Sequence, residues 1–220
     1  MASAAKARPR NAPPRWLKPA VHLVVAMPLF WLAFGWAELL WVNPASLGLS
    51  AEPVAYTHNG LGLMALRTLL ACLAVTPVFK LSGWLPIMSL RRMLGLWAFF
   101  YATLHLAFYL LMELDFSLAL LWDEAMKRNF ILFGLLAFLA LLPLALTSTR
   151  AAIRKLGGRN WQRLHRLAYL AGIAAVVHFV LRVKGFQLEP WIYLGILIIL
   201  FALRFVPNRK RASRATGQAA

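Results

Sequence analysis

The sequence predicts an all-α, polytopic membrane bundle of six transmembrane helices with both termini on the cytoplasmic side. Three observations predict it. Of the 220 residues, 61% are hydrophobic and 14% are charged, where a soluble domain carries roughly a quarter charged. The charges gather in short clusters separated by apolar runs of roughly 18 to 24 residues, the length of an α-helix that crosses ~30 Å of hydrocarbon. The basic clusters fall at alternate ends of these runs, as topology demands of a multi-pass chain.

The net charge of +17 raises nucleic acid as a partner, since basic chains meet phosphate. The placement of the charge argues against it. A nucleic-acid module gathers Lys and Arg on one soluble face, whereas here they flank apolar spans, so the partners expected are membrane lipids and no nucleic acid.

Residues 1–18 are polar, basic and rich in Pro and Ala, which reads as a disordered cytoplasmic tail. The apolar run that follows is too long for a signal-peptide core and lacks a small-residue cleavage site, so it reads as a retained helix. That first helix covers about 19–42, with a kink expected at Pro28. The second covers 58–79, the third 93–112 and the fourth 130–147, with Pro143 near its inner end. The fifth covers 164–181 and the sixth 190–206. Residues 19–206 thus form the membrane domain and 207–220 a second basic cytoplasmic tail. The 113–129 stretch is amphipathic enough to lie on the outer face as a short interfacial helix. Each span contains a glycine (Gly35, Gly62, Gly95, Gly134, Gly172, Gly195), read as small residues that let helices approach in lipid. No internal sequence repeat is visible.

Orientation follows from counting. The N-terminal tail, the 80–92 and 149–166 loops and the stretch from Arg204 onward hold nineteen Lys and Arg, and the opposite loops hold four: Lys127, Arg128, Arg182 and Lys184. All seven acids fall at or near the other side. The first group faces the cytoplasm, which for a bacterial chain means the inner membrane.

The single cysteine, Cys72, excludes a disulfide within the chain, and no CxxCH is present for covalent haem attachment. Any haem here is of b type, held by ligation and packing. An ionisable side chain inside a span is costly and marks a functional hypothesis. Counting ~1.5 Å per residue, His105 lies about 19 Å outward from Arg92 and His178 about 18 Å outward from Arg166. Matched depth on the third and fifth helices is what two axial imidazoles on one haem iron require. Ala171, Ala174 and Ala175 on one helix and Ala98, Tyr101, Ala102, Phe108 and Tyr109 on the other lie at helical spacing from these histidines. Alanines leave room for a macrocycle and aromatics wall it, while Arg182 is placed to meet a propionate. Ordinary packing faces with hydrogen-bonding histidines fit the same pattern, and both readings stand at this level.

His165 and His22 lie near the inner boundary. His165 and His178 are thirteen residues apart and point about 140° apart on a straight helix; a kink near Gly172 is needed to aim both at one seam. Arg91 lies within about 40° of the His105 face, so an inner haem or other redox site lined by His165 and Arg91 is one reading. Headgroup-zone snorkelling is the other. Arg67, about nine residues inside the second helix, needs a partner such as a haem propionate, a quinone oxygen or a flavin phosphate. His58 sits at the mouth of that helix and reads as interfacial.

The segments RRMLGLWAFFYATLHL (91–106), LTSTRAAIRKLGGRNWQRLHRLAYL (146–170) and VHFVLRVK (177–184), with WLKPAVHL (16–23) and ALRTLLACLAVTP (65–77), resemble the MsrQ family. That family comprises haem-binding membrane subunits within the ferric-reductase-like transmembrane group. The resemblance covers nearly the whole chain. It implies haem b, one or two, with His105, His165 and His178 as ligands. It further implies electrons drawn from the quinone pool or a cytoplasmic flavin reductase and passed to a periplasmic molybdopterin partner, MsrP, that reduces methionine sulfoxide in oxidised envelope proteins. FMN is implied by the resemblance alone; no flavin fingerprint is present. The wider group often carries two histidines fourteen apart on the third helix, and Arg91 holds the inner position here, which puts a conventional second bis-histidine haem in doubt. No glycine-rich nicotinamide fingerprint follows the last span, so the chain is not expected to oxidise a nicotinamide itself. The resemblance implies an electron-transfer subunit that is not catalytic on methionine sulfoxide by itself. A transporter, or a haem-free anchor for a periplasmic partner, are the alternatives.

Overall fold

A computed structural model describes residues 13–46 and 48–205. Most of the first expected tail and all of the second lie outside the described residues. Among the described residues every regular element is helical, as the apolar runs require, because a chain in hydrocarbon must satisfy its backbone within each segment.

Among the described residues nine α-helices follow one another: α1 (Leu17–Ala37), α2 (Pro53–Ser82), α3 (Arg91–Glu113), α4 (Leu118–Lys127), α5 (Asn129–Leu146), α6 (Arg150–Leu156), α7 (Gly158–Leu164), α8 (Leu167–Arg182) and α9 (Leu188–Ala202). A π-helical turn, Glu38–Val42, extends α1, and a 3-10 segment, Leu85–Leu90, leads into α3. Five stretches among the described residues are long and apolar enough to cross a membrane: Leu17–Val42, Pro53–Ser82, Leu85–Glu113, Asn129–Leu146 and Gly158–Arg182. The expected sixth span, α9, is apolar but only 15 residues long, about 22 Å at helical rise. The chain is a multi-pass membrane protein.

Local signals explain the boundaries. Pro53 opens α2 at a position where the missing amide costs nothing, and Gly83 closes it in the left-handed region at φ 68°. Ser117 caps α4 by accepting from the Leu120 amide, and α4 forms where the sequence predicts a short amphipathic helix. The 149–166 stretch is not an open loop. Thr149 caps α6 by accepting from the Ala152 amide, Gly157 turns the chain at φ 75°, and α7 follows. Pro28 does not end α1, which runs on through it.

Cross-helix contacts tie like ends together. At the basic end, Lys80 at the foot of α2 donates to the Arg204 carbonyl beyond α9, and the Arg204 guanidinium reaches the Leu73 carbonyl at 2.9 Å and the Tyr169 hydroxyl. At the acidic end, Arg182 donates to Asn59 at 2.7 Å and Arg67 approaches Glu189 at 3.8 Å.

The bundle interior is layered by sevens, two helical turns apart, with only ~20° of drift. Leu69, Ala98, Leu141 and Ala171, one from each of α2, α3, α5 and α8, are buried in one core cluster. Seven residues toward the acidic end stand Gly62, His105, Gly134 and His178. Seven toward the basic end stand Thr76, Arg91 and Ser148. A buried apolar layer thus separates two polar ones, each about 10 Å away along the axis.

Candidate functional site: an imidazole-lined cavity

A cavity of about 1010 Å³ opens in the acidic half of the bundle. α1 walls it with Met27, Trp31 and Phe34, α2 with His58, Gly62 and Arg67, and α3 with Ala102, His105 and Tyr109. α5 contributes Phe130 and Gly134, and α8 contributes Ala175, His178 and Arg182. The lining is mostly apolar with a few convergent polar groups, the usual composition of a cofactor pocket.

His105 and His178 meet here, as matched depth predicts. Their ring centroids are 6.2 Å apart and the rings are nearly perpendicular, at 76°. Each ring is held from behind. His105 Nδ1 lies 3.0 Å from the His58 carbonyl, and His178 Nδ1 lies 2.6 Å from the Phe130 carbonyl. A carbonyl only accepts, so both Nδ1 atoms carry the proton and, in a neutral ring, both Nε2 atoms keep a lone pair. Among the described residues neither Nε2 has a hydrogen-bond partner.

This arrangement suits a haem. The 6.2 Å spacing is about two metal–nitrogen bonds of ~2 Å laid end to end, with half an imidazole on either side. No group of three or more side chains able to hold a bare metal ion occurs among the described residues. A macrocycle bringing its own four nitrogens would need only two more, and His105 and His178 would supply them. Arg182 and Arg67 both line the cavity and offer cations for carboxylate groups.

The other predicted residues divide. Arg67 is not left alone in the span: it donates to Tyr193 Oη at 2.7 Å and approaches Glu189, because α9 brings a phenol and a carboxylate alongside. His165 and Arg91 sit at the basic end, outside the cavity lining. The His165 ring stacks on Trp161 with centroids 3.9 Å apart, and its Nε2 is 3.3 Å from Thr147 Oγ1. α8 runs unbroken through Gly172, where a kink would have aimed both histidines at one seam. The helix breaks instead at His165 and Arg166, between α7 and α8, while Gly172 packs against Leu73. Tyr101 faces away from the cavity, fully buried against α1 and donating to the Val25 carbonyl. His22 accepts from Trp97 Nε1 at 2.9 Å, an α1–α3 tie.

Sequence reasoning missed His58, which is not merely interfacial. Its ring stacks on His105 with centroids 4.3 Å apart and on Tyr109 at 5.6 Å, with Glu113 3.8 Å from its Nδ1. It also missed Gly62 and Gly134, read as packing glycines, and Asn59, which holds Arg182.

Comparison with known proteins places this geometry. Residues 60–177 match the family described as ferric reductase like transmembrane component, a stretch that begins just before Gly62 and ends one residue short of His178. The chain is 44% identical over 201 residues to the protein-methionine-sulfoxide reductase heme-binding subunit MsrQ of Xanthomonas campestris pv. campestris strain 8004, covering 91% of this chain and 90% of that protein. It is 44% identical over 181 residues to the MsrQ of Rhodospirillum rubrum, covering 80% and 87%. Against the MsrQ of Salmonella arizonae it is 44% identical over 191 residues, covering 86% and 92%. With a family match over half its length and relatives of this similarity aligned almost end to end, the chain belongs to the MsrQ family of ferric-reductase-like transmembrane proteins.

Proposed function

We propose that this chain is the haem-carrying electron-transfer subunit of a bacterial inner-membrane methionine sulfoxide reductase system. The single observation that carries the reading is the pair His105 and His178: two buried imidazoles on different helices, each tied at Nδ1 and free at Nε2, facing one large apolar cavity. The relatives named as haem-binding subunits support the same ligand.

A haem b held there supplies reversible one-electron chemistry. The chain does the rest. His105 and His178 would hold it through Nε2, already in the right tautomer because the His58 and Phe130 carbonyls accept the other proton. Arg182 and Arg67 would meet its propionate carboxylates, with Asn59 and Tyr193 fixing their side chains. The Leu69, Ala98, Leu141 and Ala171 layer keeps the cavity dry from below. His165 and Arg91, across that layer, line a separate inner station that serves electron entry, with a quinone or a cytoplasmic flavin reductase as donor and a second haem or FMN as the cofactors it would take. Electrons leave toward a periplasmic molybdopterin partner of the MsrP type, which repairs oxidised proteins. Both termini then face the cytoplasm and α9 completes six crossings.

The test is the reduced-minus-oxidised spectrum of the purified full-length protein, with haem counted per chain. The reading expects a b-type α-band in the wild type and its loss in His105→Ala and in His178→Ala. Colourless, folded wild-type protein overturns it and leaves the haem-free anchor.

A further inference from the structure

The two imidazoles are held by one device used twice. In α2, the His58 carbonyl accepts from His105 Nδ1 at 3.0 Å, across 47 residues of sequence. In α5, the Phe130 carbonyl accepts from His178 Nδ1 at 2.6 Å, across 48. Four residues after each carbonyl stands a glycine, Gly62 in the first case and Gly134 in the second. A Cβ on Gly62 would lie 2.9 Å from Cε1 and 3.0 Å from Nδ1 of His105. A Cβ on Gly134 would lie 2.8 Å from Nδ1 and 3.1 Å from Cε1 of His178. Contacts under 3.0 Å are not ones a Cβ tolerates, and here the opposing atoms belong to rings that are themselves fixed.

The helix geometry explains why glycine is placed there. A helical side chain leans toward the N-terminus and covers the turn before its own Cα. A side chain at position 62 therefore covers the carbonyl of residue 58, and one at 134 covers that of residue 130. Without a Cβ, the carbonyl keeps its bond to the amide four residues on and still presents its second lone pair sideways. A neighbouring imidazole can then lie flat on the bare backbone. The sequence shows no repeat, yet α2 with α3 and α5 with α8 each build the same half-site.

We infer that Gly62 and Gly134 are positioning residues: each uncovers a helical carbonyl that pins one imidazole through Nδ1 and so aims its Nε2 into the cavity. This rests on the haem reading above, with the imidazoles as ligands and the glycines acting only through them. Outer-shell partners of metal ligands govern affinity by roughly 10–100-fold when lost, and both glycines belong in that range.

The molecule contains its own control. Gly195 in α9, outside the cavity lining, has nothing within 4 Å of an added Cβ. Full-length protein carrying Gly62→Ala, Gly134→Ala or Gly195→Ala is purified, titrated with haem, and examined for its ferric spin state. The inference expects haem affinity to fall roughly 10–100-fold for the first two, with low-spin signal lost, while Gly195→Ala matches wild type. Folded Gly62→Ala and Gly134→Ala proteins with wild-type affinity and spin state overturn it. If Gly62→Ala does not fold, it is combined with His105→Ala: restored folding supports a clash with the imidazole, and continued misfolding overturns it. Wild-type protein that binds no haem sinks the haem reading instead, so the two failures are distinct.

Discussion

An imidazole inside a bilayer has two nitrogens to satisfy, and how it satisfies them decides what it can do. His22 takes one route: it accepts from Trp97 and so becomes part of the packing between α1 and α3. His105 and His178 take another, giving their protons to backbone carbonyls of neighbouring helices and keeping a basic nitrogen free. His165 takes a third, partly covered by Trp161 and beside Thr147, on the far side of the apolar core layer. Because it does not line the outer cavity, His165→Ala is expected to keep the b-type band of the outer haem while slowing its reduction by quinol or reduced flavin. Stopped-flow absorbance of the purified variant checks this; loss of the low-spin outer haem itself would instead place His165 in the outer site.

At the scale of elements, the useful part of the sequence was its arithmetic. A constant helical rise fixes depth, so His105 and His178 could be set at one level from their distances to Arg92 and Arg166. Direction is harder, because it requires each helix to be straight and its neighbours known. The break at His165 and Arg166 falls where no local proline or glycine announces it. The partners of His105 and His178 are carbonyls on other helices, and a carbonyl has no letter in the sequence. The glycines opposite them look the same in the sequence as a true packing glycine such as Gly172. That residue lets α8 approach α2: its Cβ would lie 2.9 Å from Leu73 Cδ1. Gly172→Val is therefore expected to destabilise the bundle by about 1–3 kcal/mol through overpacking, read as a lower thermal midpoint, while the surviving folded protein keeps its haem affinity. A drop in affinity with unchanged stability would contradict that division between packing and ligand-positioning glycines.

For the whole molecule, the charge pattern and the cavity point the same way. The basic end carries Arg91, Arg204 and the α6–α7 arginines, and the imidazole cavity opens in the opposite half. Membrane sidedness then decides which compartment the cavity faces. The single cysteine makes this measurable. With Cys72 replaced by serine, a lone cysteine at Phe186, 87% exposed between α8 and α9, is expected to react with a membrane-impermeant thiol reagent in intact spheroplasts. One at Lys155, exposed in α6, is expected to react only after lysis. The reverse pattern would turn the protein over and place the cavity toward the cytoplasm.

The central claim is that two imidazoles share one iron, and the ferric electron paramagnetic resonance spectrum of the purified protein reads that most directly. The account predicts a low-spin signal of a haem with two nitrogen axial ligands, converted to high spin in both His105→Ala and His178→Ala and restored by added imidazole. A low-spin signal that persists unchanged when both histidines are removed would contradict it.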